Sequence, residues 1–322
     1  MGIFVEDWQA TYGSPYMVLP DDQGAPEVQL LEDGERLLSH TGARQAGPHR
    51  QIAFVDGVRR GEAALYQYDP RTGQVARGVA GSHACGAVVA GGDLRPVVAV
   101  ERVTRLAIWG SGRSGSLPTV RGGWSWTSAS IGDEAPEAPL AELQTRMRQQ
   151  EAVLAEELSQ GGCLVVIDGP LSYVRGRDRP VLGYVKTHHK ALLAPEHHAM
   201  VPRLASGDRT SLFRLGRERY SCYVRIAPTG AFSGPWAGII RLEVPQSAGL
   251  GAAIEVVDAV AGILPTYAGV AYRDPRAPQN LQPVGALERR LRHLLGDASL
   301  AYRAVREAVA GQAAPAAAGA DR

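Results

Sequence analysis

CLVVIDGPL, residues 163 to 171, decides how the rest of the chain is read. Leu164 to Ile167 are four consecutive apolar residues, the mark of a short strand covered on both faces. Such strands belong to sheets with helices packed on either side, which predicts an α/β fold. The run then meets Asp168, Gly169 and Pro170, which any turn accepts. Asp168 is therefore either punctuation or a carboxylate at a strand end, where open α/β sheets place their ligand sites.

Upstream, PLAELQTRMRQQEAVLAEELSQGG reads as a helix with Pro139 near its start and Gly161 at its end. Its apolar stripe runs Leu140, Leu143, Met147, Leu154 and Leu158, and the one long gap is filled by Glu151. An ionised group on a buried stripe needs a partner. From Glu151 to the helix end is roughly 12 Å at ~1.5 Å per residue. The return along the strand to Asp168 is roughly 13 Å at ~3.3 Å per residue. A helix folded back on its own strand thus sets Glu151 and Asp168 at one height.

FVDGV, residues 54 to 58, echoes VIDGP, so Asp56 also follows an apolar run and precedes a glycine. If the two strands are neighbours, Asp56 and Asp168 meet; otherwise each is an ordinary Asp-Gly turn. Carboxylates gathered in a partly buried site repel by several kcal/mol, which raises one pKa or demands a cation. With Glu151 added, an oxygen-only set suits Mg²⁺ or Mn²⁺, ions that activate water and stabilise phosphoryl displacement. Glu101, in VVAVERV, rivals Glu151 as the third carboxylate unless its strand turns it to solvent. Glu243, in RLEVP, reads as a structural ion pair with Arg241 or Arg225.

Working outward, residues 1 to 45 read as an arm or peripheral hairpin. QIAFVDG, EAALYQYD, ACGAVVA and RPVVAVERVTRLAIW follow as an antiparallel meander. Residues 110 to 136 carry no period and read as a long loop. After the helix come the strands CLVVIDG, VLGYVK, YSCYVRIAP and GIIRLEVP, then helices over 250 to 264, 283 to 295 and about 298 to 310. The expected architecture is one mixed sheet flanked by helices over 46 to 311, with a disordered tail at 312 to 322.

Composition narrows the function classes. The chain has 322 residues, 45% hydrophobic and 21% charged, the balance of a soluble globular protein. No apolar run approaches the length of a membrane helix and MGIFVEDWQATYG lacks a secretory layout, so the cytoplasm is the expected location and no membrane partner is expected. Cys85, Cys163 and Cys222 are scattered and form no CxxC pair, which argues against a disulfide framework or a thiolate zinc site. Of 34 basic residues only Lys186 and Lys190 are lysines, both in YVKTHHK, a hint of a site that wants a compact charge. The histidines His188, His189, His197 and His198 fit no standard zinc spacing. With Lys186, Lys190 and several arginines they form either a basic loop facing a phosphate backbone or a solvated charged face. Arg59 and Arg60 either bind phosphate beside the metal or cap the meander's surface.

Taken in order, FVDGV, the helix with an inward glutamate, LVVIDGPL with VLGYVK, then YVRI and IIRLEVP resemble the NurA nucleases over roughly 46 to 300. YRDPRAPQNLQPVGALERRL resembles a bacterial branch of that family. The resemblance implies an RNase H-like core and a homodimeric, Mn²⁺- or Mg²⁺-dependent DNA nuclease, a 5'-3' exonuclease and/or single-strand endonuclease. It also implies work in DNA end resection and repair with a HerA-type hexameric ATPase. By position, the family's catalytic aspartates fall on Asp56 and Asp168, its helix glutamate on Glu151 and its basic residue on Lys186. Many members carry Ala-His-Arg near the C-terminus with histidine as a metal ligand; here Ala271, Tyr272 and Arg273 stand there. Either Asp274 substitutes or the site has another fourth ligand, and a non-catalytic DNA-binding adaptor of the ATPase is the alternative reading. Phosphoryl transfer from ATP ranks last, because no Gly-rich phosphate loop follows a strand.

Overall fold

The computed structural model describes residues 2–5, 27–43, 51–91, 94–174, 181–188, 191–228, 234–270, 272 and 277–317. The chain begins with β1 (Gly2–Val5), β2 (Val28–Leu30) and β3 (Ser39–Thr41). A meander follows, β4 (Ile52–Tyr68), β5 (Val75–Gly91) and β6 (Leu94–Trp109), and then β7 (Thr127–Ser130). Helix α1 (Ala138–Gln160) leads into β8 (Leu164–Asp168) and β9 (Val181–Val185), and a single turn of helix, α2 (Pro195–His198), follows. Next come β10 (Asp208–Thr210), β11 (Phe213–Leu215), β12 (Arg219–Arg225) and β13 (Ile239–Pro245). The chain finishes with α3 (Leu250–Tyr267), α4 (Gln282–Leu294) and α5 (Ala298–Ala317). All strands join one mixed sheet whose main path runs β2-β11-β12-β13-β9-β8-β4-β5-β6-β7.

Asp56 does not end a strand. QIAFVDG and EAALYQYD are one 17-residue strand, β4, whose pairing with β5 runs from Ile52↔Ala90 to Tyr68↔Val75. The ladder passes through Asp56 and Gly57 unbroken and takes up its irregularity between Gly61 and Ala63. An Asp-Gly pair turns the chain only when no partner strand claims its backbone groups, and here β5 claims them.

The first 43 residues hold no hairpin among those described. β1 pairs with the far half of β4, β2 with β11 and β3 with β10, three separate edge additions. The long loop after β6 contains β7, parallel to β6, and Trp109 Nε1 donates to Gly115 O at 2.7 Å. At the other end α5 reaches Ala317, through part of the stretch expected to be disordered, because its alanines are the strongest helix formers. Residues 318–322 lie outside the described residues.

β8 lies parallel to both β4 and β9 at the centre of the sheet. Side chains alternate between faces. Ala53, Val55, Val165 and Ile167 point to one face and pack on Leu154 and Ala155 of α1. Ile52, Phe54, Leu164 and Val166 point to the other, against Val256, Val257 and Val260 of α3 and Val284 of α4. Val58 and Ala84 continue that face beneath Leu287 and Leu291 of α4. By length and composition α3 alone among the described helices could cross a membrane. Its Ala253, Val256, Val257, Val260, Ala261 and Leu264 are instead buried against the sheet. The alternation that packs this core sends Asp56 and Asp168 to the α3–α4 face.

Candidate active site

The parallel register ends at Val55↔Ile167, so Asp56 and Asp168 come next on adjacent strands. Both line a cleft of about 430 Å³, together with Arg59, Arg148, Lys186 and Glu288. Lys186 follows β9 and donates from Nζ to Asp168 Oδ2 at 2.6 Å and to Asn280 Oδ1 at 2.9 Å. From α1, Arg148 Nη1 donates to Glu151 Oε2 at 3.0 Å and to the Asp168 carbonyl at 2.7 Å. One guanidinium thus spans the helix glutamate and the strand end, at the common height that helix and strand rise predict.

Glu151 is 1% exposed and leans on β4 where that strand has no side chain. A Cβ on Gly57 would stand 2.7 Å from Glu151 Oε1, 2.9 Å from Met147 Cγ and 3.0 Å from Cys85 Sγ. The glycine is what lets a carboxylate approach the strand beside Asp56.

Burial pushes the Asp56 carboxyl well above its usual range; the charges of Asp168, Glu151 and Glu288 add to the rise and Lys186 opposes it. Burial also lifts Glu151 to about 7, against the pull of Arg148 and with Asp168 adding to the rise. Asp56 Oδ2, Glu151 Oε1 and Asp168 Oδ1 are each buried without a hydrogen-bond partner. Leaving such atoms unpaired costs about 1–3 kcal/mol each, more when charged. Asp56 and Asp168 bring two such oxygens to the cleft and Glu151 holds the third behind it at Gly57; an oxygen-only set of this kind is one that a hard divalent cation, Mg²⁺ or Mn²⁺, would satisfy.

Among the described residues, the trio whose ligand atoms all lie within 4.8 Å of one another is elsewhere: Glu32, Asp33 and His40. The carboxylates of that trio already have partners within the protein. Arg209 grips Glu32 through two nitrogens at 2.7 and 2.8 Å and Asp258 at 2.6 Å, and Asp33 pairs with His40 at 2.8 Å. Although burial pushes the Glu32 carboxyl up, hydrogen bonds from Arg209 and the Leu212 amide bring it below its usual value. We read it as a structural clamp.

The other sequence candidates separate clearly. Arg59 lines the cleft and its Nε donates to Gln144 Oε1. Arg60 turns away: it donates to the Gly296 and Leu295 carbonyls at 2.7 and 3.0 Å beyond the end of α4 and pairs with Glu62, the surface-capping alternative. His188 contacts the Ile239 carbonyl at 3.2 Å and packs on Tyr223 and Trp236, in a second cavity of about 500 Å³ shared with His198 and Gln279. Glu101 is bound by Arg290 at 2.6 and 3.2 Å and does not line the cleft. Glu243 is paired with Arg241 at 2.7 Å and Arg219 at 2.9 Å. Arg225 instead donates to the carbonyls of Leu204, Ala237, Pro202 and Pro235. Lys190 and Asp274 lie outside the described residues, and Tyr272 is 81% exposed.

Arg148, Asn280, Glu288 and Arg292 were not legible as site residues. Arg148 carried a signal, standing one helical turn before Glu151 at i,i+3. Asn280, Glu288 and Arg292 come from the far end of the chain, where no local pattern marks them.

The NurA domain model matches residues 50–284. The crystal structure of the NurA nuclease from Sulfolobus solfataricus is similar over 81% of this chain and 85% of that chain, at 11% identity and a TM-score of 0.40. No curated protein matches. The matched span takes in most of the chain, including Asp56, Glu151, Asp168 and Lys186, and the chain belongs to the NurA family.

Proposed function

We propose that the protein is a Mn²⁺- or Mg²⁺-dependent deoxyribonuclease, a 5'-3' exonuclease and/or single-strand endonuclease. In this reading it works as a cytoplasmic homodimer with a HerA-type hexameric ATPase in DNA end resection and repair. The observation that carries the metal-dependent nuclease is the pair of orphaned carboxylate oxygens on Asp56 and Asp168 in one cleft lined by basic groups, with a third on Glu151 held behind it against Gly57. Support for an RNase H-like core comes from the order β6-β5-β4-β8-β9, an antiparallel meander continued by two parallel strands across a helix.

Asp56, Glu151 and Asp168 would hold the ion, which when bound offsets charge on the phosphate oxygens and eases deprotonation of water. Arg59, Arg148 and Arg292 line the cleft with positive charge that attracts a phosphodiester. Lys186 stands beside Asp168, placed to meet the negative charge that spreads over the phosphoryl oxygens in the transition state. In hydrolysis a water oxygen bonds to phosphorus, one P–O ester bond breaks and the departing oxygen takes a proton.

Purified protein should degrade linear and single-stranded DNA with Mn²⁺ or Mg²⁺ and not with EDTA. Asp168→Asn should lower the rate at least ~100-fold, the scale of removing a group that stabilises transition-state charge; a fully active variant would overturn the assignment. The outward position of Tyr272, where the family carries a histidine ligand, favours one second reading, a non-catalytic DNA-binding adaptor. Binding of DNA without cleavage in any metal would select it.

A further inference from the structure

We propose that Glu288 is the fourth carboxylate of the metal site, filling from α4 the place that Tyr272 does not. The inference rests on the metal-dependent reading above and adds a ligand to it. Tyr272 is 81% exposed, and a neutral phenol is a poor ligand for a hard divalent cation. The cleft already has another oxygen donor in its wall, because Glu288 lines it with Asp56 and Asp168.

Helix register explains why Glu288 arrives there. On the α3–α4 face of β4, Phe54 and Val58 bracket Asp56. Val284 packs in the cluster that contains Phe54, and Leu287 and Leu291 pack in the cluster that contains Val58. One turn beyond Val284, Glu288 therefore falls at the level of Asp56. Leu287 and Leu291 bear on the bare backbone of Gly86, where a Cβ would stand 3.1 Å from each, so α4 sits close to the sheet. Arg60 fixes the helix from its far end through the Leu295 and Gly296 carbonyls.

Asp56 is 5% exposed and keeps Oδ2 without a hydrogen bond, and the Glu288 charge adds to the upward push on its carboxyl. A cation held by both carboxylates would give that Asp56 oxygen a partner. Glu288 also stands one turn before Arg292, the spacing of a helix ion pair. A role confined to that pair would leave metal affinity unmoved.

The test is calorimetric titration of Mn²⁺ into the full chain, with no DNA present, for the wild type, Glu288→Gln and Tyr272→Phe. Glu288→Gln should weaken Mn²⁺ binding at least ~10-fold or remove one bound ion, on the scale of perturbing a metal's immediate surroundings. Tyr272→Phe should bind as the wild type does. Wild-type affinity and stoichiometry in Glu288→Gln would overturn the proposal while leaving the other three ligands standing. No Mn²⁺ binding by the wild type would overturn the metal-dependent reading itself. Should Glu288→Gln fail to fold, a structure of the wild type loaded with Mn²⁺ decides: a Glu288 oxygen on an ion supports the proposal, and a carboxylate that touches none overturns it.

Discussion

At the scale of single residues, Gly57 carries as much of the site as the carboxylates do. Its missing side chain is the space that Glu151 Oε1, Met147 Cγ and Cys85 Sγ occupy, all within 3.0 Å of where a Cβ would be. Gly57→Ala must therefore push Glu151 off β4. The cost should be about 1–3 kcal/mol, as for other overpacked cores. Because a displacement near 1 Å at a reacting centre can cost on the order of 100-fold in rate, kcat/KM on DNA should fall by about that factor while DNA binding in EDTA holds. Wild-type kinetics would mean that Glu151 does not act from this position. The sequence offers Gly57 as half of an Asp-Gly turn, and its real use appears only when α1 is laid on β4.

Among the elements, α4 is held to the sheet by a β4 side chain as well as by its own leucines. The last carbonyls of a helix lack intrahelical donors. Here Arg60 Nη1 and Nη2 reach the Gly296 and Leu295 carbonyls, and Glu62 orients the guanidinium. Arg60→Ala should cost about 1–2 kcal/mol for hydrogen bonds to a charged group. Amide exchange over 282–295 should quicken more than in β8 or β9; unchanged exchange there would count against the clamp. Elements were legible where the signal is local. The stripe of α1 and the apolar run of β8 were both readable, and Glu151 and Asp168 followed from rise per residue. β4 was cut in two because an Asp-Gly pair looks like a turn until β5 is beside it. β1, β2 and β3 are three or four residues long and find partners far off in sequence, on β4, β11 and β10, so no periodicity marks them. The same distance in sequence hid Asn280 and Glu288.

For the molecule as a whole, the cleft stores electrostatic cost that pH and metal should reveal. The Glu151 carboxyl, ordinarily at 4.5, is lifted by burial to about 7. A carboxyl whose folded value is raised favours the fold fully below 4.5, and that contribution is lost as pH rises through 7. His83 runs the other way, since burial lowers it to about 4 and its contribution is lost as pH falls from 6.5. Subtracting wild type from Glu151→Gln cancels the histidine. The stability difference should grow in favour of the variant between pH 4.5 and 7 and level off near pH 8, at up to on the order of 3 kcal/mol. The variant that stabilises the metal-free protein should be the one that cannot cleave. Mn²⁺ should close most of that gap, because an ion at a hundredfold excess over its dissociation constant adds about 2.7 kcal/mol to a protein that binds it only when folded. The gain should appear in the wild type at pH 8, shrink at pH 5 where protons compete for the same oxygens, and be small in Glu151→Gln throughout. Thermal melts of both proteins at the two pH values, with and without Mn²⁺, measure all of this. A wild-type midpoint that ignores Mn²⁺ at pH 8 would leave the three orphaned oxygens without the cation that accounts for them.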